Sequence, residues 1–441
     1  MYVAKKFPKN SSLSAWVGML PARAPTPSLK GAVTADVAII GAGFAGLSAA
    51  RRLSQLDPNL QVVVLEAGVV GEGATGRNSG FIIDLPHEVS AEDFGGSSTE
   101  RARRDITLYR TAIGLATNMA QEYGWGREII DPCGRYSVAI SQKGDSHILS
   151  YARQLQGLGE SHEVLDAKGI HEVTGSQIYT SGLYMPGTVM VQPAAYIRAV
   201  ADSLRSPVRL YENSPVQSFD KQSDSWLLKT ATGSVKAKRI ILANNGHAQS
   251  FGLFRGQMLH VFTYASMTEP FDPKRLSGKR DWAATPALPM GTTVRRVSGV
   301  DGDRILIRSR YSYHAGLEIN EGHVKGAGRV HDSKFADRFP HLVGLKMQYR
   351  WGGPMALTWN SVPIFGEVEA GLFAACACNG LGASKSTAAG IAAAEAAMGL
   401  KSQLVEIFSN YDSPKPLPPQ PLLSIGAKAD LRLREWRAGR E

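Results

Sequence analysis

The chain has 441 residues, 43% hydrophobic and 20% charged, a balance that fits a globular protein of two domains with a core of normal size. Only three cysteines occur (Cys133, Cys376, Cys378), which excludes a disulfide framework and fits a reducing, cytoplasmic setting. The net charge of +10 is scattered, concentrated only at 101–104 and near the C-terminus, with no nucleic-acid module and no apolar run of membrane-spanning length; a field that attracts small anions and a solvated basic surface with no role are the readings that remain.

Residues 1–33 read as a lead-in, broken by Pro21, Pro25 and Pro27, with no cleaved signal. The informative stretch follows. Ala38-Ile39-Ile40 is a buried strand that runs into Gly41-Ala42-Gly43-Phe44-Ala45-Gly46 and then a helix; a second strand, Val62–Leu65, ends at Glu66, twenty residues past Gly46. This order is the dinucleotide-binding fingerprint. Gly41 permits the tight turn, Gly43 lets backbone approach a pyrophosphate, and Gly46 lets helix and strand pack closely. The helix N-terminus offers free N–H groups and the positive end of its dipole to the phosphates, and Glu66 suits a ribose hydroxyl.

Residues 71–80 form a glycine-rich loop. Its backbone is placed to curl over the phosphates, with Arg77 and Asn78 offering a cation and an amide. Periodicity predicts helices over 98–125, 144–157, 194–204 and 329–339, with a strand near 134–140. Extended segments follow at 208–211, 216–219, 226–230 and 234–237, then the buried run 239–244 ending at Asn245-Gly246. Residues 256–315, rich in aromatic and β-branched residues, read as an antiparallel sheet. Leu372–Ala377 is a strand on which Cys376 and Cys378 alternate and share a side, as buried thiols with no further metal ligands nearby. A glycine turn and the alanine-rich helix 387–398 follow, then a proline-rich connector and a basic helical tail over 427–441.

Parallel-sheet elements thus stand at the start, near 238–246 and near 371–399, with antiparallel material between them. The expected architecture is α/β: a Rossmann-type nucleotide domain from 34–127, 190–255 and 345–400, interleaved with an antiparallel-sheet substrate domain from 128–189 and 256–344. The lead-in and a tail, 401–441, flank them.

At this point the sequence resembles the FAD-dependent D-amino-acid-oxidase superfamily, which includes glycine and sarcosine oxidases, and within it the gamma-glutamylputrescine-oxidoreductase branch. Val37–Gly46 with Glu66, Gly71–Gly80, Arg255-Gly256-Gln257, Trp351-Gly352-Gly353, Thr358–Gly366 and Asn379–Ser384 carry the resemblance, over about residues 30–400. It implies FAD and oxidation of a carbon–nitrogen bond by hydride transfer to the flavin, with O2 as reoxidant. The expected cofactor contacts are Gly41–Gly46, Glu66, Ala67, Gly73, Ala74, Thr75, Arg77, Asn78, Ser79, Val216, Asn244, Gly246, Gly380, Leu381, Gly382, Ala383, Ser384 and Lys385. The turn before the 387–398 helix would set a helix N-terminus against the reduced ring. Relatives that bind FAD covalently do so through a Cys shortly before a Pro-x-x-Gly turn; Pro354-Met355-Ala356-Leu357 has none, so noncovalent FAD is expected.

No side chain is assigned as acid or base. Substrate contacts are expected from His260, Tyr264, Arg308, Arg310, Tyr313 and Thr358, with Gln257 in reach of the ring or channel. By strand alternation Arg308 and Arg310 share one face, a pairing suited to a carboxylate. The expected substrate is an anionic amine: an N-substituted glycine such as sarcosine or iminodiacetate, or a gamma-glutamyl-amine. A dehydrogenase passing electrons to a quinone or carrier protein is the alternative within this class. An FAD-containing tRNA-modifying or non-catalytic binding subunit is the alternative outside it. A homo-oligomer is compatible with the sequence.

Overall fold

The structure, a computed structural model, describes residues 1–86 and 97–441. Its centre is a nine-stranded sheet whose main path runs Tyr2–Val3, Ser218–Gln222, Ser225–Lys229, Gly233–Leu242, Gly31–Ile40, Val62–Leu65, Val208–Tyr211. The apolar runs Val37–Ile40, Val62–Leu65 and Ile240–Leu242 are buried on both faces, as parallel strands require. The expected pair 234–237 and 239–244 is one strand, Gly233–Leu242, with two partners on one edge. Its first half pairs antiparallel with Ser225–Lys229, and its second half pairs parallel with Leu372–Cys376. Its other edge lies along Gly31–Ile40 throughout.

The helices Phe44–Leu56 and Thr387–Ala397 cross on one face of this sheet. They meet at Gly390, where a Cβ would come 2.1 Å from Ala45 O, and Ser48 Oγ donates to Thr387 O across the contact (3.0 Å). Only glycine permits so close an approach.

A second sheet of eight strands runs Met347–Leu357, Leu259–Thr268, Arg304–Tyr313, Thr293–Val297, Trp282–Pro286, Arg135–Ala139, Ser181–Met185, Glu163–Asp166. Met347–Leu357, expected among the nucleotide-binding segments, belongs here, paired along its length with Leu259–Thr268. One face packs Tyr136, Trp282, Ile305 and Ile307 against Phe335 and Phe339. The helix beneath is Glu321–Arg338, which starts eight residues earlier than its periodicity suggested because Asn320 and His323 form a capping box. The opposite face turns toward the nucleotide sheet. There Ala265, Leu306 and Trp351 pack around Trp16 of the lead-in, whose indole donates to Asn78 O (2.7 Å). The lead-in is therefore structural rather than loose: Tyr2–Val3 joins the first sheet and Lys6 Nζ reaches Gly316 O of the substrate side (3.0 Å).

The tail helix spans Leu422–Ala438 and docks on the second sheet. Glu435 accepts from Arg310 Nη1 (2.6 Å) and Tyr311 N (2.8 Å).

Candidate cofactor and substrate site

Between the two sheets lies a cavity of about 1020 Å³, at the upper end of the roughly 300–1,000 Å³ typical of ligand sites. Two helix N-termini open into it. Phe44–Leu56 begins at Gly43, and the π-helical turn Gly382–Ser386, which runs on into Thr387–Ala397, begins at Leu381; neither start has a side-chain cap hydrogen bond or an acid in its first turn among the described residues. Within that turn Ser384 Oγ donates to Ile83 O (2.9 Å). Uncapped, dipole-positive helix ends facing an enclosed space are what a diphosphate and an electron-accepting ring require.

The glycines fit the same purpose. Gly41 sits at φ +106°, and a Cβ there would press on Ala243 O at 2.9 Å; a Cβ on Gly46 would lie 1.8 Å from Gly41 O. Glu66 lines the cavity and accepts from Ala42 N (2.8 Å) and Gly68 N (3.0 Å). Burial raises its pKa against the opposing pull of those N–H groups. The donor set fits FAD.

 Of the expected cofactor contacts, all but Gly46 line this cavity.

The roles of two loop residues do differ from expectation. The Arg77 guanidinium is spent on backbone carbonyls, Glu72 O (2.8 Å), Gly352 O (3.1 Å) and Ser12 O, so it ties loop, second sheet and lead-in together, and burial pushes it down to about 10. Asn78 closes its own turn, donating to Thr75 O (2.6 Å) and accepting from Gly80 N (2.7 Å). Lys385 does turn inward, where it meets Asp105 at 3.3 Å.

The substrate side departs further. Arg308 lines the cavity, with its guanidinium 4.7 Å from the centroid of the Tyr311 ring. Arg310 does not share its face. The register between Leu259–Thr268 and Arg304–Tyr313 shifts at Thr263/Tyr264, and Arg310, at φ +64°, is the unpaired bulge residue. The extra residue reverses the alternation, so Arg310 meets Glu435 of the tail and Tyr311 takes the cavity side. Tyr313 lies outside the cavity, its hydroxyl accepting from Gln420 Nε2 (2.9 Å). Tyr264 packs mainly with Phe262, Val324 and Ala327, its hydroxyl beside Ser312 Oγ, and contributes only part of its surface to the cavity. Thr358 is a turn residue, donating to Val362 O (2.7 Å), and Gln257 is not among the lining residues.

Cys376 and Cys378 also part company. The strand ends at Cys376, Ala377 takes φ +57°, and Cys378 alone reaches the cavity.

His260 lines the cavity as expected, held to Gln249 Oε1 (2.7 Å). His247, which no sequence pattern singled out, lies nearby with a buried Nδ1 that has no partner among the described residues. Burial holds both imidazoles down at about 4, so both are neutral near pH 7. Strand alternation from the 134–140 segment would also have pointed to Arg135 and Ser137, which line the cavity.

The sheet order, with its cavity beyond the carboxyl ends of parallel strands, is that of a Rossmann-type dinucleotide-binding enzyme. The chain belongs to the FAD dependent oxidoreductase (DAO) family, whose profile matches residues 36–396. Gamma-glutamylputrescine oxidoreductase of Escherichia coli (strain K12) is 26% identical over 404 residues, covering 88% of this chain and 89% of that one. Sarcosine oxidase subunit beta of Rhodobacter capsulatus is 24% identical over 366 residues, 77% of this chain and 79% of that one. Among solved structures, glycine oxidase from Geobacillus kaustophilus superposes with a TM-score of 0.69 at 19% identity, over 86% of this chain and 100% of that chain. Among the described residues no helix is long and apolar enough to cross a membrane.

Proposed function

We propose that this enzyme oxidises the carbon–nitrogen bond of a small anionic amine, an N-substituted glycine or a gamma-glutamyl-amine, using noncovalently held FAD. The observation that carries the substrate class is Arg308: a cation on the cavity wall, stacked on Tyr311, with no carboxylate partner among the described residues. A substrate carboxylate supplies that partner and fixes the reacting carbon in place. The names of the two sequence relatives, one acting on gamma-glutamylputrescine and one on sarcosine, support an amine substrate.

Gly41–Phe44, Glu66, the 73–79 loop and Gly380–Lys385 would hold the cofactor. FAD, when bound, supplies the acceptor for the hydride equivalent leaving the carbon beside nitrogen, with O2 taking the electrons onward as H2O2. The chain's own part is orientation and exclusion. Arg308 grips the carboxylate, and the two neutral histidines add no positive charge to repel the amine.

The test is anaerobic mixing of holoprotein with a panel of amines, followed by flavin absorbance. Sarcosine, iminodiacetate or gamma-glutamyl-amines should bleach the visible band; bleaching by neutral amines alone would overturn the substrate class. Peroxide under air distinguishes oxidase from dehydrogenase. Acid denaturation should release all the flavin, and colour retained on the polypeptide would refute noncovalent attachment.

A further inference from the structure

We propose that Arg135 is a second anion-binding group in the cavity, so that the substrate carries two carboxylates. The proposal rests on the reading of Arg308 as the first carboxylate contact. Arg135 is 1% exposed and lines the cavity. Its Nη1 donates to Thr285 Oγ1 (2.9 Å), while Nε and Nη2 have no hydrogen-bond partner among the described residues. The buried carboxylate Asp84 is engaged by the Thr188 hydroxyl (2.7 Å), and the Tyr151 hydroxyl donates to Pro86 O. A guanidinium cannot shed its charge, and burying one without a counter-charge is among the costliest arrangements a fold can carry. A bound anion supplies the missing charge and accepts from both open nitrogens.

The sheet sets the spacing. Arg308 pairs with Thr293, the register continues to Thr285, and Thr285 pairs with Ser137, so the four form one row across four strands. Each belongs to the cavity wall. Thr285, which Arg135 touches, lies two strands from Arg308, roughly 10 Å at about 4.8 Å per strand. Two guanidinium groups leaning inward from those positions suit a diacid of about five or six carbons, whose carboxyls lie roughly 5–6 Å apart when extended.

The experiment titrates holoprotein with glutarate and with pentanoate, following the flavin visible band and the heat of binding. Glutarate should bind about tenfold tighter than pentanoate. Arg135→Gln should abolish that advantage while leaving pentanoate within about twofold. Glutarate no tighter than pentanoate in the native protein, or equal losses for both acids in Arg135→Gln, would overturn the proposal. Should Arg135→Gln yield no holoprotein, Arg135→Lys decides: the advantage should shrink at least about threefold, and an unchanged advantage refutes the role. Arg308→Ala separates the two readings. Pentanoate binding that ignores Arg308→Ala sinks the first carboxylate contact. Pentanoate binding that depends on Arg308, with no glutarate advantage, sinks Arg135 alone.

Discussion

The two sheets present their chemistry differently. In the nine-stranded sheet the cavity is lined by backbone at strand ends: Gly41, Gly43 and the turn Gly380–Ser384. In the eight-stranded sheet it is lined by side chains carried on strands: Arg308, Thr293, Thr285, Arg135. Backbone-borne chemistry needs only a permissive residue in a local turn. Chemistry carried by side chains on strands depends on register, which one extra residue reverses.

Gly46→Ala breaks the first sheet's arrangement most severely. Its Cβ would lie 1.8 Å from Gly41 O, and flavin content together with a melt should show loss of cofactor and a destabilisation of roughly 1–3 kcal/mol or more. Arg308→Ala should raise KM for anionic amines by about 10–100-fold, the range of a charged hydrogen bond worth about 1.5–3 kcal/mol, and leave neutral amines nearly unchanged. Equal effects on both would remove the carboxylate role.

A third prediction concerns His331, in the helix beneath the second sheet. Its ring contacts Ser266 Oγ (2.7 Å) and Ser309 O (3.2 Å), and burial holds it down at about 4. The unfolded chain binds this proton below about 6.5. The folded protein does not bind it until about pH 4, so stability falls as pH drops between those values, by up to roughly 3 kcal/mol. Denaturant melts across that window should show the slope, and His331→Gln should flatten it. The smallest effect belongs to Arg310→Ala. Loss of its pair with Glu435 should cost about 1 kcal/mol in a melt, while the KM ratio of anionic to neutral amines stays put. A changed ratio would return Arg310 to the substrate side.

The cofactor half was legible because its signals are local. Gly41, Gly43, Gly46 and Glu66 stand within one strand–helix–strand unit, and each is dictated by a nearby backbone contact. The substrate half was legible in kind but not in detail. Strand composition announced an antiparallel sheet, yet nothing in Arg308-Ser309-Arg310 marks a bulge, because Arg310 is held at φ +64° by a sheet and a helix distant in sequence. Met347–Leu357 was misplaced for the same reason: its pairing partner lies some ninety residues earlier. His247 acquires its interest only from burial, which a single sequence does not display.

The edge-sharing strand Gly233–Leu242 has a consequence for how the protein is made. It joins Gly31–Ile40 on one side and Leu372–Cys376 on the other. The parallel core therefore cannot close while the ribosome is still upstream of the 372–376 segment, and the nascent chain must leave the Ile240–Leu242 end of Gly233–Leu242 with one edge open until then. Contacts so distant in sequence make for slow assembly. For this fold, the last-made parallel strand completes the pocket that the first-made glycines began.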